Sequence, residues 1–107
     1  MNRYCDNKII LKPEIEDLGD CQAFYATVSQ PASGTMITKT GTDLDVDAEA
    51  GTVTFWISQD ESVDFLPSNG KQNSALVQLR FIDADGKRKA TRMRMVGVDD
   101  VLYEELL

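Results

Sequence analysis

Residues 51–67 read GTVTFWISQDESVDFLP, and this stretch decides the fold class. In its first half Val53, Phe55 and Ile57 alternate with other residues, so their side chains fall on one side of an extended chain. Strict alternation of this kind is typical of a β-strand with one buried face. Trp56 falls on the opposite side, and we expect it to be partly exposed if the apolar trio faces a core.

The second half of the stretch predicts a short helical turn. Ser58 and Glu61 stand three positions apart, which is the spacing of a capping box. In that motif the serine hydroxyl and the glutamate carboxylate each accept a backbone N–H at the start of a helix. Pro67 ends the turn, because proline cannot continue a helix. We therefore expect one short helical turn near residues 59–65, with no ligand bound there.

Alternating apolar residues and turn residues recur along the whole chain. They predict seven short strands, over residues 7–12, 22–29, 35–40, 42–47, 52–58, 74–82 and 87–98. Clean alternation favours antiparallel pairing, and short strands separated by turn signals are typical of immunoglobulin-like sandwiches. The sequence thus predicts an all-β fold, an immunoglobulin-like antiparallel β-sandwich of about seven strands. A small β-barrel is the alternative.

The length of 107 residues indicates one domain, which is large enough to bury a single core. No apolar run approaches about 18 residues, so we expect no transmembrane helix. The first residues carry no apolar segment of the kind that a signal peptide needs. We expect a single domain over residues 1–107, made in a cytoplasm. Residues 99–107 are expected to form either a short helix or a docking tail that contacts a neighbour.

The net charge of −7 opposes binding to nucleic acid and to anionic membranes, so we expect neither as a partner. Four acidic residues between positions 43 and 49 resemble the start of a calcium loop. The glycine and the glutamate that an EF-hand needs later in its loop are replaced by Ala48 and Thr54. The acidic residues also alternate with apolar ones, as on the solvent face of a strand. We therefore expect no metal site.

The sequence offers no catalytic constellation. It contains no histidine, which excludes histidine-based triads and most zinc sites. It contains neither a glycine-rich phosphate loop nor a nucleophile elbow. Cys5 and Cys21 are expected to be reduced thiols, and a disulfide between them is the alternative. We expect a protein that is not an enzyme, with no catalytic residue and no cofactor.

Four arginines near the end of the chain form a candidate interface. Arg88, Arg92 and Arg94 are predicted to project to the same side of the last strand, and Arg80 to join them from the paired strand. One interpretation is a contact patch for an acidic protein surface. The other is a solvated outer face with cross-strand ion pairs.

Aromatic and apolar residues supply the remaining interface candidates. Trp56 and Tyr25 are predicted to lie on outer faces of strands, where tryptophan is frequent in binding hot spots. Packing under a loop or under the end of the chain is the alternative for Trp56. Leu102 and Tyr103 are candidates because residues 99–107 mix acidic with apolar side chains.

Several segments together suggest a family. An aromatic-bearing strand at 24–28 is followed by GTVTFWISQDES (51–62), ALVQLRFIDADGKRKAT (75–91) and VGVDDVLYEELL (96–107). This order resembles small proteins encoded in the tail modules of phages and prophages of Gram-positive bacteria. It is also similar to the N-terminal β-sandwich modules of their upper-baseplate or tail-fibre proteins.

The resemblance implies a non-enzymatic virion protein that assembles with copies of itself and docks on other tail or baseplate proteins. The resemblance implies no catalytic residues in this chain. A carbohydrate- or receptor-binding module is an alternative, suggested by Trp56 and Tyr25. An intracellular adaptor domain unconnected with phages is a third interpretation.

Overall fold

Two antiparallel β-sheets face each other in the computed structural model, which describes residues 1–69 and 72–100. Eight strands lie within these residues: β1 (Asn7–Leu11), β2 (Ala23–Gln30), β3 (Thr35–Thr40), β4 (Asp45–Asp47), β5 (Thr52–Ile57), β6 (Ala75–Ile82), β7 (Arg88–Ala90) and β8 (Arg94–Val96). One α-helical turn, α1 (Gln59–Ser62), follows β5. Short 3₁₀ turns occupy Leu18–Asp20 and Gly41–Asp43.

The three strands β1, β5 and β4 form the small sheet, in that order. The large sheet has the order β3, β2, β6, and both β7 and β8 pair with the far side of β6. The predicted all-β antiparallel sandwich is confirmed. Eight strands replace the predicted seven or so within the described residues, because the last predicted strand is interrupted.

The alternation of apolar residues builds the core as predicted. Val53, Phe55 and Ile57 of β5 are fully buried between the sheets, and Val77 and Leu79 of β6 meet them from the large sheet. Burying side chains of this size contributes about 1.5–3 kcal/mol each. The neighbouring strands β4 and β5 pair with each other as an antiparallel hairpin.

The capping box at α1 is confirmed in both directions. The Ser58 hydroxyl accepts a hydrogen bond from the Glu61 N–H at 3.2 Å, and the Glu61 carboxylate accepts one from the Ser58 N–H at 3.0 Å. The helix is a single turn, and Phe65 just beyond it is fully buried. The turn therefore directs the chain out of β5, and the ring of Phe65, which follows it, is buried in the core.

The fully buried side chain of Gln30 holds the segment between β5 and β6, one of the connections from the small sheet to the large one. The Gln30 amide N–H group donates to the carbonyls of Leu66 and Asn73 at 2.8 and 2.6 Å, and its oxygen accepts from the Leu66 N–H at 2.7 Å. Buried polar groups are tolerated when they are hydrogen-bonded in this way. The side chain of Gln30 thus fixes the course of residues 63–69.

The prediction of one continuous strand over residues 87–98 is wrong. Ala90 lies opposite Arg80, whereas Arg94 lies opposite Val77. Between these pairs β6 advances three residues and its partner advances four, so the partner carries one extra residue. This is a β-bulge, and a shift of one residue turns the side chains that follow to the other face of the sheet.

Thr91 explains why the ladder breaks at this point. Its N–H donates to the Leu79 carbonyl at 2.9 Å, as in a regular ladder. Its hydroxyl, however, accepts the Leu79 N–H at 3.2 Å, and its own carbonyl accepts the side-chain amide of Gln78 at 3.0 Å. The threonine hydroxyl therefore takes the place of a backbone carbonyl, and the regular pairing does not continue.

The first residues of the chain pair with residues near its end. The Asp99 N–H donates to the Met1 carbonyl at 2.7 Å, and the Arg3 N–H donates to the Asp99 carbonyl at 2.9 Å. Arg3 also forms an ion pair with Asp100 at 2.9 Å. The first two residues of the predicted docking tail are thus attached to their own domain, and residues 101–107 lie outside the described residues.

We predict that Gln30→Met lowers the free energy of unfolding by about 3 kcal/mol, because the Leu66 N–H and carbonyl both lose the hydrogen bonds that Gln30 gives them. The Asn73 carbonyl loses one hydrogen bond but keeps the one from the Ser68 hydroxyl. Urea-induced unfolding measures the change. Gln22→Met is the matched control: Gln22 is exposed, and its loss is expected to cost no more than about 0.5 kcal/mol. Equal unfolding midpoints for the two variants would contradict the assigned role of Gln30.

Candidate functional site

The outer face of the large sheet carries no acidic strand residue within the described chain. Residues opposite each other in an antiparallel pair share a face, so the register assigns this surface. Its outward strand residues are Ala23, Tyr25, Thr27, Ser29, Met36, Thr38, Thr40, Leu76, Gln78, Arg80, Ile82, Arg88, Ala90 and Met95. We call this surface the basic face, because its only charges are those of two arginines.

The two arginines of the basic face flank a depression of about 420 Å³. Arg80 lies opposite Ala90, and Arg88 lies opposite Ile82, so the two guanidinium groups are diagonal neighbours on one side of the β6–β7 pair. The Arg80 guanidinium lies over the Tyr25 ring, 5.7 Å from its centroid. This cation–π contact places a planar donor group at the rim of the depression.

Arg92 and Arg94 do not join Arg80 and Arg88, and the prediction that all four share one side is wrong. The bulge places Arg94 opposite the core-facing Val77. Both side chains line a separate cleft of about 630 Å³ at the margin between the sheets, together with residues 11–14. The sequence could not show this, because the extra residue that reverses the faces changes no residue type.

An apolar row crosses the basic face away from the arginines. Met36, Ser29, Leu76 and Met95 lie opposite one another on four neighbouring strands. Met36 and Met95 are 70% and 60% exposed. Exposed methionines are typical of adaptable binding surfaces. Sequence reasoning missed this row, because alternation identifies a face but not which residues stand side by side across strands.

The outer face of the small sheet carries Trp56, which is 54% exposed as its position in β5 predicted. Lys8 of β1 lies opposite it, and Ile10, which is 52% exposed, lies one pair further along. Large exposed apolar side chains that lie close together mark contact surfaces more often than isolated ones do. Ile10 was not among the predicted candidates.

Acidic residues dominate the free side of this same sheet. β4 has a neighbour on one side only, and the four side chains that we call the acidic edge are all exposed: Asp43, Asp45, Asp47 and Glu49. Asp47 accepts the backbone N–H groups of the turn that follows. Within the described residues none of the four forms an ion pair. Outward charges on an edge strand oppose pairing between identical edges.

A groove of about 580 Å³ lies beside Trp56, and its lining is polar: Asp6, Lys39, Asp43, Ser58 and Glu61. The Lys39 ammonium bridges the two oxygens of the Glu61 carboxylate at 2.9 and 3.0 Å. Partial burial alone raises the pKa of Glu61, but hydrogen bonds from Ser58 and Lys39 outweigh it and hold that pKa below its ordinary value. The groove therefore presents a fixed ion pair next to an indole ring.

The two cysteines are both free. Burial raises the pKa of the Cys21 thiol, and the nearby carboxylates of Asp83, Asp20 and Asp17 raise it further. A thiol of raised pKa is a weak nucleophile at neutral pH, because the thiolate is the reactive form. Cys21 is therefore not suited to nucleophilic chemistry.

Leu102 and Tyr103, the remaining predicted interface residues, lie outside the described residues. In the part of the chain that the structure describes, no group of three or more acidic or cysteine side chains could hold a metal ion. No helix in the same residues is long and apolar enough to cross a membrane.

No protein-family model matches the chain, and no curated protein shows significant similarity to it.

We predict that Glu61 titrates below its ordinary pKa and that Lys39→Met raises this pKa. A carboxylate with a lowered pKa stabilises the fold above its unfolded pKa and loses that contribution as pH falls, so stability decreases below about pH 4. NMR titration of the Glu61 carboxyl carbon measures the effect, with Lys12→Met as the control. An unchanged Glu61 titration in Lys39→Met would contradict the role of this pair.

Proposed function

We propose that the protein is a non-enzymatic structural component that works through contacts with other proteins. The observation that carries this proposal is the basic face: a sheet surface without acidic strand residues, in a chain whose net charge is −7. Depletion of acidic residues together with exposed Met, Tyr and Arg is the composition of protein–protein interfaces.

The depth and chemistry of the surface support a protein partner over a small substrate. The depression at Arg80 and Arg88 is shallow and is rimmed by Tyr25, and the apolar row lies further along the same sheet. Tyrosine and arginine supply most of the binding energy in many interfaces. A partner with acidic and apolar side chains would complement both regions at once.

The proposed setting is the tail or baseplate of a phage or prophage of a Gram-positive bacterium, with the protein made in the cytoplasm and built into the virion. The resemblance of residues 51–62, 75–91 and 96–107 to tail-module proteins supports this setting. The proposed partners are other tail or baseplate proteins and copies of the chain itself. Genes for tail fibres, holin or endolysin next to its own gene would support the class.

We predict that Arg80→Glu/Arg88→Glu lowers the amount of protein in purified virions at least tenfold, since reversed charges on the docking surface repel an acidic partner. Quantitative mass spectrometry of the particles measures the loss. Arg92→Glu/Arg94→Glu has the same charge change and lies off the basic face, so its incorporation is expected to equal that of the wild type. Normal incorporation of the Arg80/Arg88 variant would contradict the proposed docking surface.

A carbohydrate-binding module is the second candidate function, favoured by the groove at Trp56. An exposed indole gives a flat surface on which a sugar ring stacks, and the lining carboxylates and Lys39 offer hydrogen-bond partners for hydroxyl groups. This candidate places the ligand on the small sheet, whereas the leading proposal places the partner on the large one.

If a glycan is bound, Trp56→Ala abolishes binding to cell-wall glycans on an array, because the stacking surface is lost. Ile10→Ala is the control, since Ile10 is an exposed apolar residue on the same sheet face but outside the groove. No binding by the wild-type protein across the array would rule out this second function.

A further inference from the structure

We propose that the acidic edge of one copy docks onto the basic face of the next, so that copies join head to tail. This inference rests on the proposed structural function and names the two surfaces that perform it. Asp43 and Asp45 of one copy would enter the depression between Arg80 and Arg88 of its neighbour.

Charge complementarity identifies a second copy as the occupant. The acidic edge carries four exposed carboxylates without an ion pair in the described residues, and the basic face carries two exposed arginines with no acidic strand residue around them. Each copy carries both of the surfaces that the contact requires, the acidic edge and the basic face. A flat guanidinium pairs well with a carboxylate, because two of its N–H groups match the two oxygens.

The shape of the two surfaces agrees with their charge. β4 is an edge strand of three residues. Its Asp45 and Asp47 lie opposite Thr54 and Thr52, so both project from the outer face of the small sheet at its margin. The depression on the large sheet is about 420 Å³ and is bounded by Tyr25 and Ala90. Arg80 is already held over the Tyr25 ring, so less side-chain freedom is lost when a carboxylate binds.

Contacts between like surfaces are disfavoured by the same charges. Two acidic edges repel each other, and so do two basic faces, which opposes a dimer with twofold symmetry through either surface. In a row of copies joined through two different surfaces, the copy at one end has a free acidic edge and the copy at the other end has a free basic face. Such heterologous contacts produce rings when the rotation closes and open filaments when it does not.

The test uses two variants, each with one surface reversed: Arg80→Glu/Arg88→Glu and Asp43→Lys/Asp45→Lys. Wild-type protein is expected to form larger species as its concentration rises, and these dissociate in high salt. Each variant alone is expected to associate about 100-fold more weakly or worse. Analytical ultracentrifugation measures the species, and circular dichroism verifies that both variants are folded.

Mixing restores only one kind of contact with native charges. The Arg80/Arg88 variant keeps its acidic edge, and the Asp43/Asp45 variant keeps its basic face. An equimolar mixture is therefore expected to associate again, through this native contact and through the charge-swapped contact between the two reversed surfaces. Arg92→Glu/Arg94→Glu and Glu16→Lys/Asp60→Lys are controls that change charge elsewhere and are expected to assemble like the wild type.

Three outcomes would overturn the head-to-tail contact: a wild-type protein that stays monomeric at every concentration, variants that still associate alone, or a mixture that stays monomeric. If virion incorporation still depends on Arg80 and Arg88 in that case, the docking function stands and its partner is a different protein. If self-association follows the expected pattern but the protein is absent from virions, the proposed setting fails and the contact stands.

Discussion

The sandwich depends on one buried amide. Gln30 lies at the end of β2, on the core side of the large sheet, and its side chain holds the backbone at Leu66 and Asn73. These positions belong to the connection from β5 to β6, one of the segments that carry the chain between the two sheets. An apolar residue would fill the same space but would leave the Leu66 N–H and carbonyl without the hydrogen bonds that Gln30 provides. The connection from β5 to β6 therefore follows one path, and Phe65 within it is buried.

Once the crossing is fixed, the two sheets present outward faces of different chemistry. The pleat places every second residue of β6 outward, which gives the large sheet Arg80 and its apolar row. The small sheet ends at β4, whose outward and loop residues are acidic. A net charge of −7 therefore conceals a strong separation of charge across the molecule.

Local patterns predicted the parts of the fold that depend on neighbours in sequence. The alternation at Val53–Ile57, the capping box at Ser58 and the exposure of Trp56 are all confirmed, because period and spacing determine them directly. Features that depend on partners far along the chain were not predictable. The role of Gln30 needs the position of residues 66 and 73, and the separation of the four arginines needs the register against β6. A one-residue change of register reverses a face without any sign in composition.

The bulge after β7 also has a consequence for how this surface varies among related chains. Deleting Met93, which is largely exposed, would remove the extra residue and bring Arg92 opposite Gln78 on the outward side of the ladder. Arg94 and Val96 would keep their partners and their burial. The loss of one codon would thus add a third positive charge to the basic face while the core stays as it is. Insertions and deletions at this position, more than substitutions, would therefore change the charge of the basic face without disturbing the core.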